Sequence, residues 1–205
     1  MKLFFVRHAE SVANAKLKNE LGTGDQLSPK GIKQADRLVS VLKEYQFDHI
    51  FVSPSQRTIQ TIAPYLRSVK RRAVVLPQAI EIKDVSIKAV IFKLLGKRDS
   101  EIKTKPIKLP TEYEDVVTFD PEFPTSIPKG EPHAEGVLRS HQLGRFFRKR
   151  FGDTDLSVLL VSHGTIGRYM LAHLAHLPIV PHPANAKLWL LQNRGERFQI
   201  GMMGA

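Results

Sequence analysis

The chain has 205 residues, which is enough to bury a core without disulfides or a structural metal, and we predict one domain over residues 1–205. The absence of cysteine excludes disulfides and thiol catalysis and is typical of a reducing compartment, so we expect a cytoplasmic protein. A net charge of +11 favours anionic partners, and the lack of a long apolar run argues against a membrane span.

Short apolar runs alternate with amphipathic patterns in the first part of the chain, which is typical of α/β layers around a largely parallel sheet. The predicted strands here are residues 3–6, 49–53 and 73–77. Residues 29–45 form a predicted helix that Ser28 caps. Residues 53–66 form a second, with Ser53 as the expected N-cap because Gln56 follows at the spacing of a capping box.

The last part of the chain repeats this alternation. The patterns predict a helix over residues 133–151, a strand within residues 156–164 and a helix over residues 165–177. Two further runs, 187–192 and 197–203, predict a closing hairpin.

Residues 82–131 have no clear hydrophobic period and contain many prolines. We interpret them as an irregular insertion on the same domain that shapes the substrate pocket. Within this segment, residues 85–96 favour a helix, which we expect in the core rather than as a lid.

Two predicted strands lead into a histidine: His8, preceded by Arg7, and His163. Ligands in open α/β sheets bind beyond the carboxyl ends of the strands, so the two histidines should meet there if these strands are central neighbours. Arg57, in the first turn of its helix, would point back at the same crevice. Gly164 is a further predicted phosphate-binding position, because the helix that follows it would present free backbone N–H groups.

Two histidines and two arginines in one crevice indicate an anion site, because guanidinium groups match phosphate oxygens. The same arginines would repel a cation, so we predict neither a metal nor another cofactor. A neutral imidazole can attack phosphorus when its other nitrogen is held as a donor. A carboxylic acid must then protonate the leaving oxygen.

Four segments resemble, in order and spacing, the phosphoglycerate-mutase branch of the histidine phosphatase superfamily. They are FFVRHAES, LSPKGIKQA, VSPSQRTIQT and VLLVSHGTIGR, and they span nearly the whole chain apart from the insertion. The resemblance implies a three-layer α/β/α sandwich with a mostly parallel central sheet, and catalysis without a metal. It implies that His8 becomes phosphohistidine. The other implied site residues are Arg7, Arg57 and His163 in the phosphate pocket, with Asn14 and Thr23 near the substrate.

Two departures from the family pattern favour a phosphatase over a mutase. The family often has glycine at the position of Ala9, and alanine there is a variant associated with phosphatase-type members. Residues 12–13 are Val-Ala, where the mutases carry a tryptophan just before the asparagine. Hydrolysis by water is therefore the expected reaction.

The general acid is the least defined part of the predicted site, because the family's glutamate motif lacks its glycines here. Glu81 lies at about the right point and is the expected catalytic acid, with Asp84 and Glu135 as alternatives. The competing interpretation of Glu81 is a glutamate on a solvated turn.

The sequence thus predicts a metal-independent phosphomonoester hydrolase that acts through a phosphohistidine at His8 on a small phosphorylated substrate, with a polyanionic one compatible with the basic chain. A mutase-type phosphotransferase and a non-catalytic phospho-ligand binder are the alternatives. Nucleic-acid binding is disfavoured, since aromatic residues within 145–151 belong in the core. We expect no membrane association. His173, expected to be buried, and His176 and His182 are not expected to be ligands.

Overall fold

The computed structural model describes residues 1–16, 24–82, 103–194 and 197–202. Its strands are β1 (Lys2–Arg7), β2 (His49–Val52), β3 (Ala73–Val75), β4 (Thr104–Pro106), β5 (Val117–Thr118), β6 (Ser126–Pro128), β7 (Ser157–Ser162), β8 (Leu188–Arg194) and β9 (Arg197–Met202). Its α-helices are α1 (Pro29–Lys43), α2 (Gln56–Ser68), α3 (His133–Phe151) and α4 (Gly164–Ala175). Short 3₁₀ turns cover Pro77–Ala79 and Thr111–Tyr113.

Seven strands of the described residues form one sheet in the order β5-β3-β2-β7-β1-β8-β9. The first five of these run parallel to their neighbours, whereas β8 is antiparallel to both β1 and β9. The closing hairpin is therefore present, and it adds to the edge of β1. The central pair is β1 and β7, which are the two strands that lead into the histidines.

Helices cover both faces of this sheet because alternate strand residues point to opposite sides. Phe4 and Val6 of β1 belong to the core with α1 and α2, and Leu3 and Phe5 belong to the core with α3 and α4. The predicted α/β fold with a mostly parallel central sheet between helical layers is confirmed.

The start of α2 differs from the prediction. Ser53 is not the N-cap: its N–H continues the ladder to Val161 and its hydroxyl bonds to His163. Ser55 occupies the cap position without a side-chain bond, and a carboxylate from another loop, Asp25, accepts the N–H of Gln56 instead. A tertiary contact thus replaces the expected local cap.

The described part of the predicted insertion, residues 103–131, is more regular than expected. β4 and β6 pair as a separate two-stranded antiparallel sheet, the β4–β6 pair, and β5, which lies between them in the chain, joins the edge of the main sheet next to β3. Backbone pairing with other strands, rather than hydrophobic periodicity, stabilises these two- and three-residue strands. The helix predicted over residues 85–96 lies outside the described residues. Among the described helices, none combines the length and the apolar character needed to cross a bilayer.

Candidate active site

The two histidines lie side by side at the carboxyl end of the central strand pair. Parallel pairing sets Arg7 opposite Ser162, so the next residues, His8 and His163, leave the sheet together. The N–H of His8 donates to the Ser162 carbonyl oxygen at 2.9 Å, which extends the ladder by one residue. The imidazole ring centroids are 5.3 Å apart. The sheet therefore builds the expected juxtaposition.

The tautomer of His8 follows from its backbone partner. Its Nδ1 lies 2.7 Å from the carbonyl oxygen of Ala9, and because a carbonyl only accepts, Nδ1 carries the proton. This leaves the Nε2 lone pair for bonding to phosphorus. The side chain is buried, and burial together with the charges of Arg57 and Arg7 lowers the pKa of His8 to about 3. His8 is therefore neutral at pH 7.

His163 is held as the opposite tautomer. Its Nδ1 is 3.0 Å from Nη2 of Arg57, which always donates, so Nε2 carries the proton and donates to the Ser53 hydroxyl at 2.7 Å. The ring is fully buried, and burial followed by the charge of Arg57 holds the pKa of His163 well below its ordinary value. In this state the positive charge of the site comes from arginine, not from the histidines.

Arg57 is positioned by two partners. It lies in the first turn of α2, as predicted, and its Nη2 bonds to His163 while its Nη1 pairs with the carboxylate of Asp25. Asp25 also caps α2, so one carboxylate orients both the helix and its arginine. Asp25 is thus a positioning residue that sequence reasoning did not identify.

Arg7 presents its guanidinium to the same place. Its Nη1 donates to the Pro183 carbonyl oxygen at 2.9 Å and lies 3.3 Å from Nδ1 of His182. Its Nε is buried and has no acceptor among the described residues. Burial lowers the pKa of Arg7 below its ordinary value, and the neighbouring charge of Glu81 offsets only part of this shift.

Two residues of the loop before β8 are also in the site, and sequence reasoning missed both. His182 contacts Arg7, and Asn185 donates to the carbonyl oxygen of His8 at 2.7 Å. The missing information was the partner of β8. Once β8 is known to lie antiparallel to β1, the loop before it must sit at the carboxyl end of β1.

Glu81 lies at the N-terminus of α4. Its carboxylate accepts the backbone N–H groups of Thr165 at 3.3 Å and Ile166 at 3.1 Å. These are two of the donors that we expected to be free for phosphate, so Gly164 lies at a helix start that is partly occupied by the side chain of Glu81. The structure thus brings Glu81 to the strand-end crevice rather than leaving it on a solvated turn.

Asp84, one of the two alternative acids, lies outside the described residues. Glu135 is in the first turn of α3 and is not among the residues that line the cavity next to Arg57. Of the two described candidates, Glu81 shares a cavity with Arg57.

The turn that carries Glu81 is anchored from both sides. Arg139 of α3 donates to the carbonyl oxygens of Gln78 and Ile80 at 2.6 and 2.8 Å, and it forms a buried two-bond ion pair with Glu131. From β7, the Ser162 hydroxyl donates to the Ala79 carbonyl oxygen at 2.6 Å. These contacts give Glu81 a defined position.

Asn14 is close to the nucleophile but bonds locally in this structure. Its side-chain oxygen accepts from the N–H and hydroxyl of Ser11, at 3.2 and 3.1 Å, and from Asn185 at 3.5 Å. Asn185 connects it to His8. The predicted contribution of Thr23 lies outside the described residues.

His173 and His176, which we did not expect to be ligands, both contact residues of α3. His173 is half-buried rather than buried, and its ring stacks on His141 at 4.5 Å because that face of α4 packs along α3. His176 is exposed and bonds to Arg148. In the described part of the chain, no three His, Asp or Glu side chains are grouped as metal ligands.

A cavity of about 790 Å³ opens beside the strand ends. Arg57 and Glu81 line it together with residues of β4, of β6 and of the segment after β4, whereas His8 and His163 are not among its lining residues. This volume suits a small organic molecule. The cavity thus offers a guanidinium group, a carboxyl group and space for an organic group next to Arg57, whose Nη2 bonds to His163.

Comparison with protein families gives one match over almost the entire chain. The model of the histidine phosphatase superfamily (branch 1) matches residues 3–204. The match includes both strand-end histidines and the segment between them.

Solved structures show the same fold at low sequence identity. The α-ribazole phosphatase of Shigella flexneri is 16% identical with a TM-score of 0.64, and 100% of this chain and 96% of that chain are covered. A mycobacterial glucosyl-3-phosphoglycerate phosphatase is 18% identical with a TM-score of 0.62, covering 98% and 97%. A phosphoserine phosphatase of Entamoeba histolytica, in complex with 3-phosphoglyceric acid, is 18% identical with a TM-score of 0.60, covering 100% and 97%.

Proposed function

We propose that this chain, which belongs to branch 1 of the histidine phosphatase superfamily, is a metal-independent phosphomonoester hydrolase that acts through a phosphohistidine at His8. The observation that carries the proposal is the bond from Nδ1–H of His8 to the Ala9 carbonyl oxygen, since it fixes the tautomer that a nucleophile requires. The similar folds named above belong to proteins described as phosphatases, which supports the same reaction class.

In the first step the phosphoryl group moves from the substrate to His8. Nε2 attacks phosphorus, the bond from phosphorus to the ester oxygen breaks, and the proton of a protonated Glu81 goes to that oxygen. Arg7 and Arg57 neutralise charge on the equatorial oxygens.

In the second step water hydrolyses the phosphohistidine. The Glu81 carboxylate takes a proton from the water while the water oxygen bonds to phosphorus. The bond between phosphorus and Nε2 breaks, which returns the neutral imidazole and releases inorganic phosphate. The bond to Ala9 keeps the imidazole in the same tautomer for the next cycle.

The proposed substrate is a small phosphorylated molecule. The similar phosphatases are named for such molecules: α-ribazole phosphate, glucosyl-3-phosphoglycerate and phosphoserine. The cavity volume of about 790 Å³ agrees with a substrate of this size. We further propose that the protein acts in the cytoplasm, because a chain without cysteine is typical of a reducing compartment.

The test is hydrolysis of p-nitrophenyl phosphate in excess EDTA by the wild type and His8→Ala. We expect turnover that resists EDTA, and a loss of at least about 1,000-fold in kcat/KM for His8→Ala because the covalent route is removed. His141→Ala, which removes a half-buried histidine of α3 away from the cavity, is the matched control and should retain activity.

A direct readout of the intermediate accompanies the kinetics. Mixing enzyme and substrate and quenching in alkali should give a phosphorylated protein by intact-mass spectrometry, and acid treatment should remove the phosphoryl group. EDTA-sensitive turnover, or undiminished activity of His8→Ala, contradicts the mechanism. Phosphorylated His8 that transfers to an added sugar phosphate instead of water would identify a mutase.

A further inference from the structure

Two lysines line this cavity. Lys105 of β4 and Lys108, just after it, are among its lining residues together with Arg57 and Glu81. Both lysine side chains are exposed, and neither has an ion pair or hydrogen bond among the described residues.

The other charged groups that line the cavity already have partners. Asp25 pairs with Arg57, and Glu131 forms a buried pair with Arg139. Glu81 accepts backbone N–H groups at the start of α4. Among the described residues that line the cavity, the two lysines therefore supply positive charge without a carboxylate partner.

The register of the β4–β6 pair fixes the side of this small sheet on which Lys105 lies. Lys105 is directly opposite Ile127 in the antiparallel pair, and such residues lie on the same face. Ile127 is buried and lines the cavity, so Lys105 lies on the cavity side of the β4–β6 pair. Lys129 is exposed and lies between two lining residues without lining the cavity itself.

Much of the remaining lining is apolar. It includes Ile80, Pro106, Ile107, Ile127 and Pro128. A molecule that fills this cavity therefore meets an apolar surface as well as Arg57 and the two lysines.

We propose that the leaving group of the natural substrate carries a second anionic group, a carboxylate or a phosphate, that binds Lys105 and Lys108. This inference rests on the proposed phosphatase function and names the substrate class of the same cavity. Substrates that carry only the phosphate ester leave these lysines unpaired.

The test compares two substrates that differ by one charge, phenyl phosphate and 4-carboxyphenyl phosphate. The wild type should prefer the carboxylate in kcat/KM by about fivefold, because each partly screened charge contact contributes about two- to fivefold. The preference should disappear in the double variant Lys105→Gln/Lys108→Gln and weaken as salt rises. Lys129 directly follows β6 and does not line the cavity. Lys129→Gln removes one positive charge there and should keep the preference of the wild type.

A binding measurement separates this inference from the hydrolase proposal. Calorimetry with phenylphosphonate and 4-carboxyphenylphosphonate requires no turnover and should show the same preference and the same loss in the double variant. Turnover with equal preference in the wild type and the double variant overturns the inference alone. Preferential binding without hydrolysis of either ester supports the lysine site and contradicts the hydrolase, and no preference in either measurement rejects the lysine site.

Discussion

Gly164 and His182 are packed so closely that neither can change without affecting Arg7. A Cβ atom on Gly164 would lie 2.0 Å from Cε1 of the His182 ring, far inside van der Waals contact. His182 in turn lies against Nη1 of Arg7. The absence of a side chain at the first residue of α4 therefore lets the loop before β8 reach the guanidinium of Arg7.

Gly164→Ala should reduce kcat/KM for p-nitrophenyl phosphate by roughly tenfold, because displacement of the His182 ring by about an ångström disturbs the orientation of Arg7. The steady-state rates of the wild type and the variant measure this. Arg7 and His8 themselves are unchanged in this variant.

The steric cause is tested by a second substitution. In a His182→Ala background the added methyl group has room, so Gly164→Ala should have less than about a threefold effect there. An equal effect in both backgrounds would mean that the loss arises elsewhere, for instance at the start of α4.

At the scale of the elements, one side chain connects α3 to the turn that carries Glu81. Arg139 is buried, donates to two carbonyl oxygens of that turn, and pairs with the buried carboxylate of Glu131. Removing a single partner of such a pair leaves a buried charge without compensation, which costs more than the pair itself contributes.

Arg139→Gln should therefore lower the free energy of unfolding by about 3–5 kcal/mol, measured by urea denaturation. It should also lower kcat, because the turn before Glu81 loses two hydrogen bonds. In the double variant Arg139→Gln/Glu131→Gln the buried charge is gone, and part of the stability should return. A loss in the double variant that equals the sum of the losses in the two single variants would contradict this coupling.

At the scale of the whole molecule, two buried neutral histidines make global stability depend on pH. The pKa of His8 is about 3 and that of His163 is well below its ordinary value, whereas both are near 6.5 in the unfolded chain. Below pH 6.5 the unfolded chain binds protons that the native protein does not, so the free energy of unfolding falls as the pH falls.

Between pH 7.5 and 5.5 His8 should remove about 1.4 kcal/mol of stability, and His163 should add to this loss in the same direction, measured by urea denaturation at both pH values. His8→Gln cannot bind that proton, so its stability should fall by about 1.4 kcal/mol less than that of the wild type over the same interval. Parallel losses in the wild type and in His8→Gln would show that His8 is not held neutral by the fold.

The sequence predicts much of this architecture, because the relevant signals are local. Strand patterns that end in Arg7-His8 and before His163 fix which residues leave the sheet at its carboxyl edge. What could not be predicted depends on partners distant in the chain. The cap of α2 comes from Asp25, and His182 reaches the site because β8 pairs with β1. No periodicity in the local sequence encodes such contacts.

The β4–β6 pair forms no ladder with the main sheet among the described strands, although the chain between its two strands contributes β5 to the edge of that sheet. His8 and His163 are aligned by the register of β1 and β7, which does not involve the β4–β6 pair. Under the proposed function, variation at positions 105 and 108 would therefore change which phosphoester is preferred without changing the alignment of the two histidines. This segment is the part of the scaffold at which we would engineer new substrate preferences.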